Sequence, residues 1–477
     1  MRSFLLFCFI LFTSGLIRAQ NYSKDVKMGE KAARQVGTEM GYYKHDSLEL
    51  LIKSVGKKLV AALEKKPTEF EFEFNLVDAE EPNAFALPGG HIYVTRGILP
   101  LIQNEDELAG IIGHEIMHVI QRHSVKQFNR EIVPAVLKIP GNIINAITFS
   151  RLGNIINVPI DIIASPFIAK YSRKHEKEAD DLGIELAARA GYNPIKLADA
   201  LDRLSKEIEA LTGEAERRSF LSDHPYTPLR SEDIRTRSKT LVPAKSSPVA
   251  ASQENFMQKF NGLCFGHNPK NGVFVDTLFV HPELGVSFIL PSGWTKDNGK
   301  TEVTAHPKEK DAALALSIAS DSLNLKQCVE QIHKKLKQSK NAKVDFSGDT
   351  TLNGLPAHIL RVTNIKKGEE IILELIWVEY KHIVYQLEGV CINGKRNVTA
   401  KALRSFKPMT PNERNLVMIY ELQVVSAQNN ETLEQLSKRT ENKLNPELTL
   451  IFNDLDKKTT LQSGKTVKVI KKTPYKP

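Results

Sequence analysis

The stretch Asn104–His123, NEDELAGIIGHEIMHVIQRH, has the pattern of a single amphipathic helix. Asn104 can cap the first turn, and Glu107 three residues later can complete a capping box. Apolar residues then recur at helical spacing, at Leu108, Ile111, Ile112, Ile116 and Val119. The stretch therefore predicts a largely buried helix, and the other motifs of the chain are best understood in relation to it.

Residues 114–118 of this helix are His-Glu-Ile-Met-His. Residues four apart lie on one helix face, so His114 and His118 can ligate one zinc ion from consecutive turns. Glu115 is carried to the side, where its carboxylate can take a proton from water at the metal. The motif predicts a zinc hydrolase, although two satisfied core histidines can produce the same five letters by chance.

A third ligand has to come from a distant part of the chain. His123 is two and a half turns past His114, which would place it on the opposite face of a continuous helix. The longer zinc-protease pattern needs glycine at position 121 and histidine at 124, where this chain has Gln121 and Ser124. The helix by itself therefore leaves the zinc site incomplete.

A second predicted helix, which opens near Tyr171, can supply the missing ligand. Glu176 and Asp180 lie four residues apart on one face, whereas His175 and Glu178 are expected to meet solvent. Facing a zinc ion, Glu176 can ligate it and Asp180 can accept a hydrogen bond from a ligand histidine. Without the upstream motif, the same residues would be read as a solvated, charged helix start.

The stretch Asn83–Gly90, NAFALPGG, precedes a predicted strand from His91 to Thr95. Taken alone, Pro-Gly-Gly indicates a hairpin turn. Because the stretch comes just before the zinc helix, an edge strand here can hold an extended substrate through main-chain hydrogen bonds, with the substrate along the strand after Gly90. The candidate substrate-binding residues are Asn83, Ala84, Phe85, Gly89, Gly90 and Ile92.

Together these motifs resemble the BepA, HtpX and CAAX-prenyl-protease family of gluzincin zinc metallopeptidases. The resemblance rests on HEIMH, on Glu176 58 residues after His118 in an ExEAD helix, and on the preceding NAFALPGGHIYVTRG. It implies one zinc ion (Zn2+) per chain, held by His114, His118 and Glu176. It also implies Glu115 as the general base and Asp180 as the carboxylate that supports a ligand histidine.

The resemblance extends to Asp223-His224-Pro225 and Arg230, which are similar to the family's late His-Pro and Arg positions. It implies that His224 acts in catalysis, either by covering the zinc as a gate or by stabilising the tetrahedral intermediate. Arg230 would orient the groups around the metal. A capped loop end followed by a surface arginine explains these residues almost as well.

The start of the chain indicates export. Residues 1–19 contain Arg2 and then the apolar run Phe4–Phe12, which resembles a secretory signal peptide cleaved after Ala19. We therefore expect a periplasmic or cell-envelope protein. The apolar stretch Ile132–Ala169 is broken by charges and prolines, so it is expected to roof the cleft, with membrane-surface contact as the alternative.

The chain of 477 residues is too long for one hydrophobic core and predicts an α+β protein of several units. A mainly helical, zincin-like peptidase domain with a small sheet spans residues 20–240, and a linker spans 241–271. An α/β accessory domain then spans residues 272–408. Residues 416–471 follow as a small βααβ unit that resembles a LysM-like module, with a second helix from Pro446 to Asn453.

LysM-like modules bind glycan chains, so the last unit predicts a possible contact with peptidoglycan. The lysines at positions 465, 468, 471, 472 and 476 suit an anionic cell wall, although a purely structural βααβ cap explains the pattern equally well. The net charge of +9 fits anionic surfaces or simple solubility, and no feature indicates nucleic acid.

The sequence as a whole predicts an exported zinc endopeptidase that hydrolyses polypeptides of the envelope in quality control or processing. Two other classes of protein remain open at this point. One is a zinc-containing chaperone or adaptor that binds unfolded proteins without cutting them. The other is a glycan-binding wall protein that depends on residues 416–471.

Overall fold

The computed structural model describes residues 22–126, 171–212, 220, 224–225, 228–338, 343–366, 369–392 and 396–476. The predicted signal peptide and the apolar stretch 132–169 lie outside these ranges. Among the helices described, none is long and apolar enough to cross a membrane. The described parts of the chain combine helices with several β-sheets, so the α+β prediction is confirmed at that level.

The first half of the chain is mainly helical. Its helices are α1 (Ser23–Glu39), α2 (Asp46–Ala61), α3 (Glu105–Ile120), α4 (Arg173–Arg189), α5 (Lys196–Thr212) and α6 (Pro228–Ser238), with a 3-10 turn at Leu99–Leu101. Its strands β1 (Glu73–Val77), β2 (Ala84–Leu87) and β3 (His91–Thr95) form one sheet in the order β1-β3-β2. Strand β3 is therefore central, parallel to β1 and antiparallel to β2.

This strand order corrects one prediction. We predicted that substrate lies along the strand after Gly90, but that strand is β3, and both of its edges are occupied. Ile92 lies opposite Phe74 of β1 on one side and Ala86 of β2 on the other. The prediction was wrong because alternation along a strand does not reveal which strands become its neighbours. In this sheet the edge strand beside α3 is β2.

Helix α3 is buried along almost its whole length. Asn104 caps it as predicted, because its side chain accepts a hydrogen bond from the N–H of Glu107. The predicted capping box does not form. The Glu107 carboxylate instead accepts from the N–H of Gln103 at 2.8 Å and pairs with Arg203 of α5 at 2.7 Å. Glu107 thus reaches back one residue further than the capping box requires, and it adds a long-range ion pair at this helix end.

The middle of the chain is built on a seven-stranded sheet. Its strands are β8 (Thr295–Asn298), β9 (Glu302–His306), β10 (Ala312–Ser320), β11 (Lys343–Leu352), β12 (Leu355–Lys366), β13 (Glu369–Tyr380) and β14 (Ile383–Ile392). They lie in the order β11-β12-β13-β14-β10-β9-β8. Helix α8 (Leu325–Gln338) packs on one face. A four-stranded sheet and helix α9 (Arg396–Leu403) pack on the other face.

The strands of the four-stranded sheet are β5 (Val273–Val275), β6 (Leu278–His281), β7 (Val286–Ile289) and β15 (Lys407–Pro408), and a short helix α10 (Pro411–Asn415) follows them. They lie in the order β15-β7-β6-β5. The predicted linker is partly structured, since it contains helix α7 (Gln253–Gln258) and strand β4 (Leu263–Cys264). The cysteines at positions 264, 328 and 391 are free and buried.

The last part of the chain has the predicted strand–helix–helix–strand order. Its main elements are β16 (Met418–Ser426), α11 (Leu433–Arg439), α12 (Pro446–Asn453) and β19 (Thr466–Pro474), with a short pair of strands β17 (Glu431–Thr432) and β18 (Thr460–Leu461). Strands β16 and β19 pair with each other, and β4 joins them through β16. Binding of glycan by this unit stays a prediction.

One of the five lysines expected to face an anionic wall, Lys468, is buried, so that part of the prediction was wrong. Lys468 is 1% exposed, and its Nζ donates to the carbonyl oxygens of Pro100 and Ile102 at 2.6 and 2.7 Å. These carbonyls belong to the segment that leads into α3. Leu448 and Phe452 of the same unit join the core around α3. The last unit is therefore packed against the segment at the N-terminal end of α3, and Lys468 serves this packing.

Asp78 joins the first half of the chain to the middle. Its Oδ1 accepts a hydrogen bond from Arg96 Nε at 2.7 Å, and its Oδ2 accepts from Lys300 Nζ at 2.7 Å. The side-chain amides of Asn268 and Asn271 also donate to Oδ2, at 2.9 and 3.0 Å. Burial acts to raise the pKa of Asp78, but Arg96 and Lys300 outweigh burial and lower the pKa to about 2.

We expect Asp78→Asn to lower the free energy of unfolding at neutral pH by about 2–3 kcal/mol, the equivalent of this pKa shift. A carboxyl group whose pKa is lower in the folded protein stabilises it above the unfolded pKa and loses that effect as pH falls. The unmodified chain should therefore lose stability between about pH 4 and pH 2 more steeply than the variant. Urea denaturation at a series of pH values measures both effects.

The matched control is Asp276→Asn, at an exposed aspartate of the same middle part of the chain. It should change neither the stability at neutral pH nor its acid dependence. Identical acid dependence in Asp78→Asn and in the unmodified chain would contradict the assignment of this stabilisation to Asp78.

Candidate metal centre

Four buried side chains converge where α3, α4 and the segment of His224 meet. The ligand atoms of His114, His118, Glu176 and His224 all lie within 4.8 Å of one another. His114 Nε2 is 2.9 Å from His118 Nε2 and 3.2 Å from His224 Nδ1. Glu176 Oε1 is 3.1 Å from His224 Nδ1 and 3.4 Å from His118 Nε2. These atoms form a compact cluster of three nitrogens and one carboxylate.

The spacing of this cluster fits a zinc ion. Zinc binds imidazole nitrogen and carboxylate oxygen at about 2.0–2.2 Å in a tetrahedral arrangement, which places neighbouring ligand atoms about 3.3–3.6 Å apart. The separations in the cluster bracket that value, and the donor set is one that zinc prefers. The structure thus brings together the three predicted ligands, and it adds His224 as a fourth member of the cluster.

Small residues allow the two ligand-bearing helices to approach closely. A Cβ atom on Gly183 of α4 would lie 3.0 Å from the Cα of His114, and one on Gly113 would lie 3.1 Å from the carbonyl oxygen of Gly183. At the start of α4, the Ser172 side chain caps the helix by accepting from the N–H of His175. Close packing and a defined helix start together place Glu176 opposite the two histidines.

Asp180 and Arg230 form a buried layer behind the ligands. Asp180 Oδ1 lies 2.9 Å from His114 Nδ1, and Arg230 donates to both Asp180 oxygens at 2.6 and 2.9 Å. Arg230 also pairs with Glu176 at 2.8 Å and donates to the carbonyl of His224 at 3.2 Å. Arg230 is buried, so the alternative of a surface arginine is wrong.

The charges of this layer keep the acidic groups ionised. Burial acts to raise the pKa of Glu176, but His224 and Arg230 outweigh burial and hold the pKa well below its usual value. Burial likewise acts to raise the pKa of Asp180, and Arg230 together with the His114 hydrogen bond lowers it. Burial lowers the pKa values of His114 and His118, which favours the neutral rings that a metal requires.

His224 stands between the ligand cluster and Glu115. Its Nδ1 belongs to the cluster, while its Nε2 lies 3.4 Å from Glu115 Oε1. Burial acts to lower its pKa, but the carboxylates of Glu176 and Glu115 raise the pKa to about 9. The Phe220 ring stacks on His224 at 4.3 Å, and the Phe220 N–H donates to the carbonyl of Pro82 at 2.7 Å. The His224 segment is thereby tied to the residues just before β2.

The position of His123 differs from the prediction. Its ring is fully buried, and its Nδ1 lies 3.0 Å from His118 Nδ1. We predicted the opposite face because the pattern was taken as one continuous helix, but α3 ends at Ile120. Arg122 then adopts a left-handed conformation, with φ of 54°, which returns His123 to the side of His118. Burial lowers the pKa of His123 to about 4.

Two neighbours of His123 were also expected to lie in solvent. His175 is buried, and its ring stacks on His123 with centroids 4.4 Å apart. Glu178 keeps 38% of its side chain exposed, but its Oε2 lies 3.3 Å from His123 Nε2. The spacing of three residues between His175 and Glu178 places them on one helix face, and that spacing was the signal available in the sequence.

Tyr171 is a further residue of the site that the sequence did not single out. Its ring stacks on His118 with centroids 3.9 Å apart, and its hydroxyl forms a hydrogen bond of 2.7 Å with Ser124. It therefore packs against one ligand ring while it joins α4 to the turn after α3.

The predicted substrate-binding residues occupy three kinds of position. Ala84 and Phe85 lie on the edge strand β2, and the N–H of Asn83 donates to the Thr95 hydroxyl at 2.8 Å. Gly89 and Gly90 have φ of 78° and 91°, and a Cβ on Gly90 would lie 2.5 Å from the Phe70 ring, so the turn itself requires them. Ile92 is a fully buried core residue.

Residues 47–238 match the model of peptidase family M48. The chain carries an M48 peptidase domain. The M48 domain contains all four residues of the ligand cluster, and it also contains Glu115, Asp180 and Arg230. The resemblance of this domain to zinc metallopeptidases of the BepA type is therefore confirmed, and its cluster is one that could hold the zinc ion of such a peptidase.

Relatives of known name support this assignment. The Beta-barrel assembly-enhancing protease of Yersinia pestis is 27% identical over 268 residues, which are 53% of this chain and 54% of that protein. The Mitochondrial metalloendopeptidase OMA1 of Schizosaccharomyces pombe is 28% identical over 214 residues, 44% of this chain and 59% of that protein.

A third relative is the Putative beta-barrel assembly-enhancing protease of Vibrio cholerae, which is 32% identical over 201 residues, 41% of this chain and 40% of that protein. The chain thus spans about half the length of the curated relatives it matches.

Proposed function

We propose that the chain is an exported zinc endopeptidase that cleaves polypeptides of the cell envelope, in quality control or processing. The observation that carries the proposal is the buried cluster of His114, His118, Glu176 and His224 with Glu115 beside it, inside an M48 domain. The names of the bacterial relatives, beta-barrel assembly-enhancing proteases, support the envelope as the place of action.

Each group around the metal site has a distinct task in this proposal. Zinc, when bound, supplies a Lewis acid that activates water and polarises the scissile carbonyl. Glu115, fully buried next to the cluster, takes a proton from the water and then gives it to the leaving amine. Asp180 orients the His114 ring by contacting Nδ1 of that ring. Arg230 holds Asp180 and Glu176 in place through ion pairs with both carboxylates.

His224 is proposed to control access to the cluster. With its Nδ1 among the ligands and its Nε2 towards Glu115, the ring fills the space in which a substrate carbonyl has to lie. The ring therefore has to move for catalysis, after which an imidazole at the edge of the site can stabilise charge on the carbonyl oxygen. The contact between Phe220 and Pro82 connects such a movement to the strand beside the site.

The edge strand β2 is proposed as the platform for the substrate. It packs beside α3, and its outer edge pairs with no strand among the residues that the structure describes. An extended polypeptide can add to this edge through main-chain hydrogen bonds, which are independent of side-chain identity. This mode of binding suits unfolded segments of many proteins, as expected for quality control.

Removal of zinc tests this proposal. Treatment of the full chain with a chelator should abolish cleavage of an unfolded protein, and one equivalent of zinc per chain should restore cleavage. Elemental analysis measures the zinc, and gel electrophoresis follows the cleavage. Cleavage that persists at full rate after the metal is removed, or a chain that binds no zinc, would refute the proposal.

A pair of variants on α4 controls for unfolding in this experiment. Glu176→Ala should lose both zinc and activity, because it removes a ligand. Glu185→Ala, on the same helix and paired with Arg237 instead of the cluster, should keep both.

A further inference from the structure

The two ligand histidines of α3 are supported in different ways. The outer nitrogen of His114, Nδ1, faces the carboxylate of Asp180 at 2.9 Å. The outer nitrogen of His118, also Nδ1, faces the ring of His123 at 3.0 Å. Metal-binding histidines usually donate this outer N–H to a carboxylate, a carbonyl or water. The partner of His118 is instead the His123 imidazole, and the other nitrogen of that imidazole faces the carboxylate of Glu178.

The position of the hydrogen on each ring decides which nitrogen donates and which accepts in this arrangement. A ring that binds a metal through Nε2 carries its hydrogen on Nδ1, so His118 has to donate through Nδ1. The facing Nδ1 of His123 then has to be an acceptor, and the hydrogen of neutral His123 lies on its Nε2. That nitrogen is 3.3 Å from Glu178 Oε2, which can accept the hydrogen bond. The three residues form one continuous chain with a single assignment of tautomers.

We propose that His123 is a positioning residue of the metal centre, which with Glu178 forms a hydrogen-bonded chain that orients the His118 ring and strengthens zinc binding. The inference rests on the proposed metal site and assigns a task to residues that neither ligate zinc nor touch substrate. The carboxylate end of the chain makes the His118 ring a stronger donor to the metal, as Asp180 does for His114.

Contacts from α1 and α4 hold His123 and the turn before it in this position. Arg122 keeps its left-handed conformation while it donates to both oxygens of buried Asp25 on α1, at 2.6 and 2.8 Å. The His175 ring of α4 covers one face of His123. A left-handed backbone conformation is unfavourable for arginine. The two hydrogen bonds from Arg122 to Asp25 offset this cost and stabilise the turn.

The competing interpretation is that His123 only fills space in the core. The two interpretations differ for phenylalanine and asparagine at this position. Phenylalanine keeps a ring to stack on His175 but has no acceptor for His118. Asparagine loses the ring, but its Oδ1 can reach the place of Nδ1 and accept the hydrogen bond from His118.

The experiment measures zinc affinity of the full chain by competition with a chromogenic chelator. His123→Phe should weaken zinc binding by about 10- to 100-fold, the usual cost of losing the partner of a ligand histidine. His123→Asn should weaken it less than His123→Phe does. The melting temperature of the zinc-free proteins is measured in parallel, and it should not follow this order. Equal affinity losses in the two variants, or unchanged affinity in His123→Phe, would overturn the proposal.

Glu178 provides a second test that keeps the His123 ring in place. Glu178→Gln should weaken zinc binding, while Asp181→Asn, a neighbouring carboxylate paired with Lys177, should not. Because Glu178 acts through His123, adding Glu178→Gln to His123→Phe should cause little further loss. A Glu178→Gln protein that binds zinc as tightly as the unmodified chain, or fully additive losses in the double variant, would also overturn the proposal.

The zinc measurements distinguish a failure of this inference from a failure of the proposed function. If the unmodified chain binds no zinc, the proposed function fails. If it binds zinc and cleaves protein while the affinities of the His123 and Glu178 variants are unchanged, only the positioning chain is wrong.

Discussion

Glu115→Gln is expected to reduce peptide hydrolysis by about 10²–10⁴-fold or more while the chain keeps its full zinc content. The carboxamide has almost the same shape as the carboxylate but cannot take a proton from water. Glu115 is not a member of the ligand cluster, which consists of His114, His118, Glu176 and His224. Its loss should therefore remove proton transfer and leave metal binding intact.

Initial rates of cleavage of an unfolded protein, with zinc measured on the same samples, check this expectation. Glu185→Gln is the matched control, because the same chemical change on α4 lies outside the site and should leave the rate unchanged. A zinc-loaded Glu115→Gln protein with undiminished biological activity would favour the alternative of a zinc-containing chaperone or adaptor.

Arg203→Met is expected to lower the free energy of unfolding by about 3–5 kcal/mol, the range for breaking a buried ion pair by removing one partner. Arg203 NH1 donates to Glu107 Oε2 at 2.7 Å and to the carbonyl of Leu101 at 3.0 Å. Both side chains of the ion pair are almost completely buried. The substitution leaves the Glu107 carboxylate without its cation at the start of the zinc helix.

The pH dependence gives this prediction a second readout. Burial raises the pKa of Glu107 and Arg203 opposes the rise, so the variant should raise the pKa further. A carboxyl group with a raised pKa in the folded protein destabilises it above that pKa, and this cost disappears as the group is protonated. The deficit of Arg203→Met should therefore shrink as pH falls.

Urea denaturation at neutral and mildly acidic pH measures both effects. Arg235→Met is the control, because Arg235 pairs with Asp199 and Asp202 in a partly exposed position, where a loss of about 0–1 kcal/mol is expected. A loss below about 1 kcal/mol for Arg203→Met would contradict the expected value for a buried pair.

The sequence was most informative where one helix determines the geometry. Spacing of four residues placed His114 and His118 on one face, and the structure brings Glu176 and Asp180 to that face as predicted. Asn104 was correctly identified as the cap of α3, and the helix Pro446–Asn453 begins and ends as predicted. Hydrogen bonds between near neighbours and side-chain period determine these features, and both can be read from adjacent residues.

The sequence was least informative where a distant element decides the outcome. His123 lies beside His118 and against His175 because Arg122 leaves the helical conformation, and Arg122 pairs with Asp25 of α1. Lys468 is buried because the last unit packs on carbonyls of Pro100 and Ile102. The residues next to a polar side chain in the sequence do not show which distant segment will bury it and form its hydrogen bonds.

The sequence by itself thus determined the helix faces that carry His114, His118 and Glu176, and the family of the peptidase, because each depends on spacing within one helix or on a motif. It also predicted zinc ligation by these residues and the acid–base role of Glu115. Only the tertiary structure decided the strand order β1-β3-β2, the place of His224 as the fourth member of the buried cluster and the chain from His118 to Glu178. These features arise from contacts between segments that are far apart in the chain, and local periodicity contains no information about which segments meet.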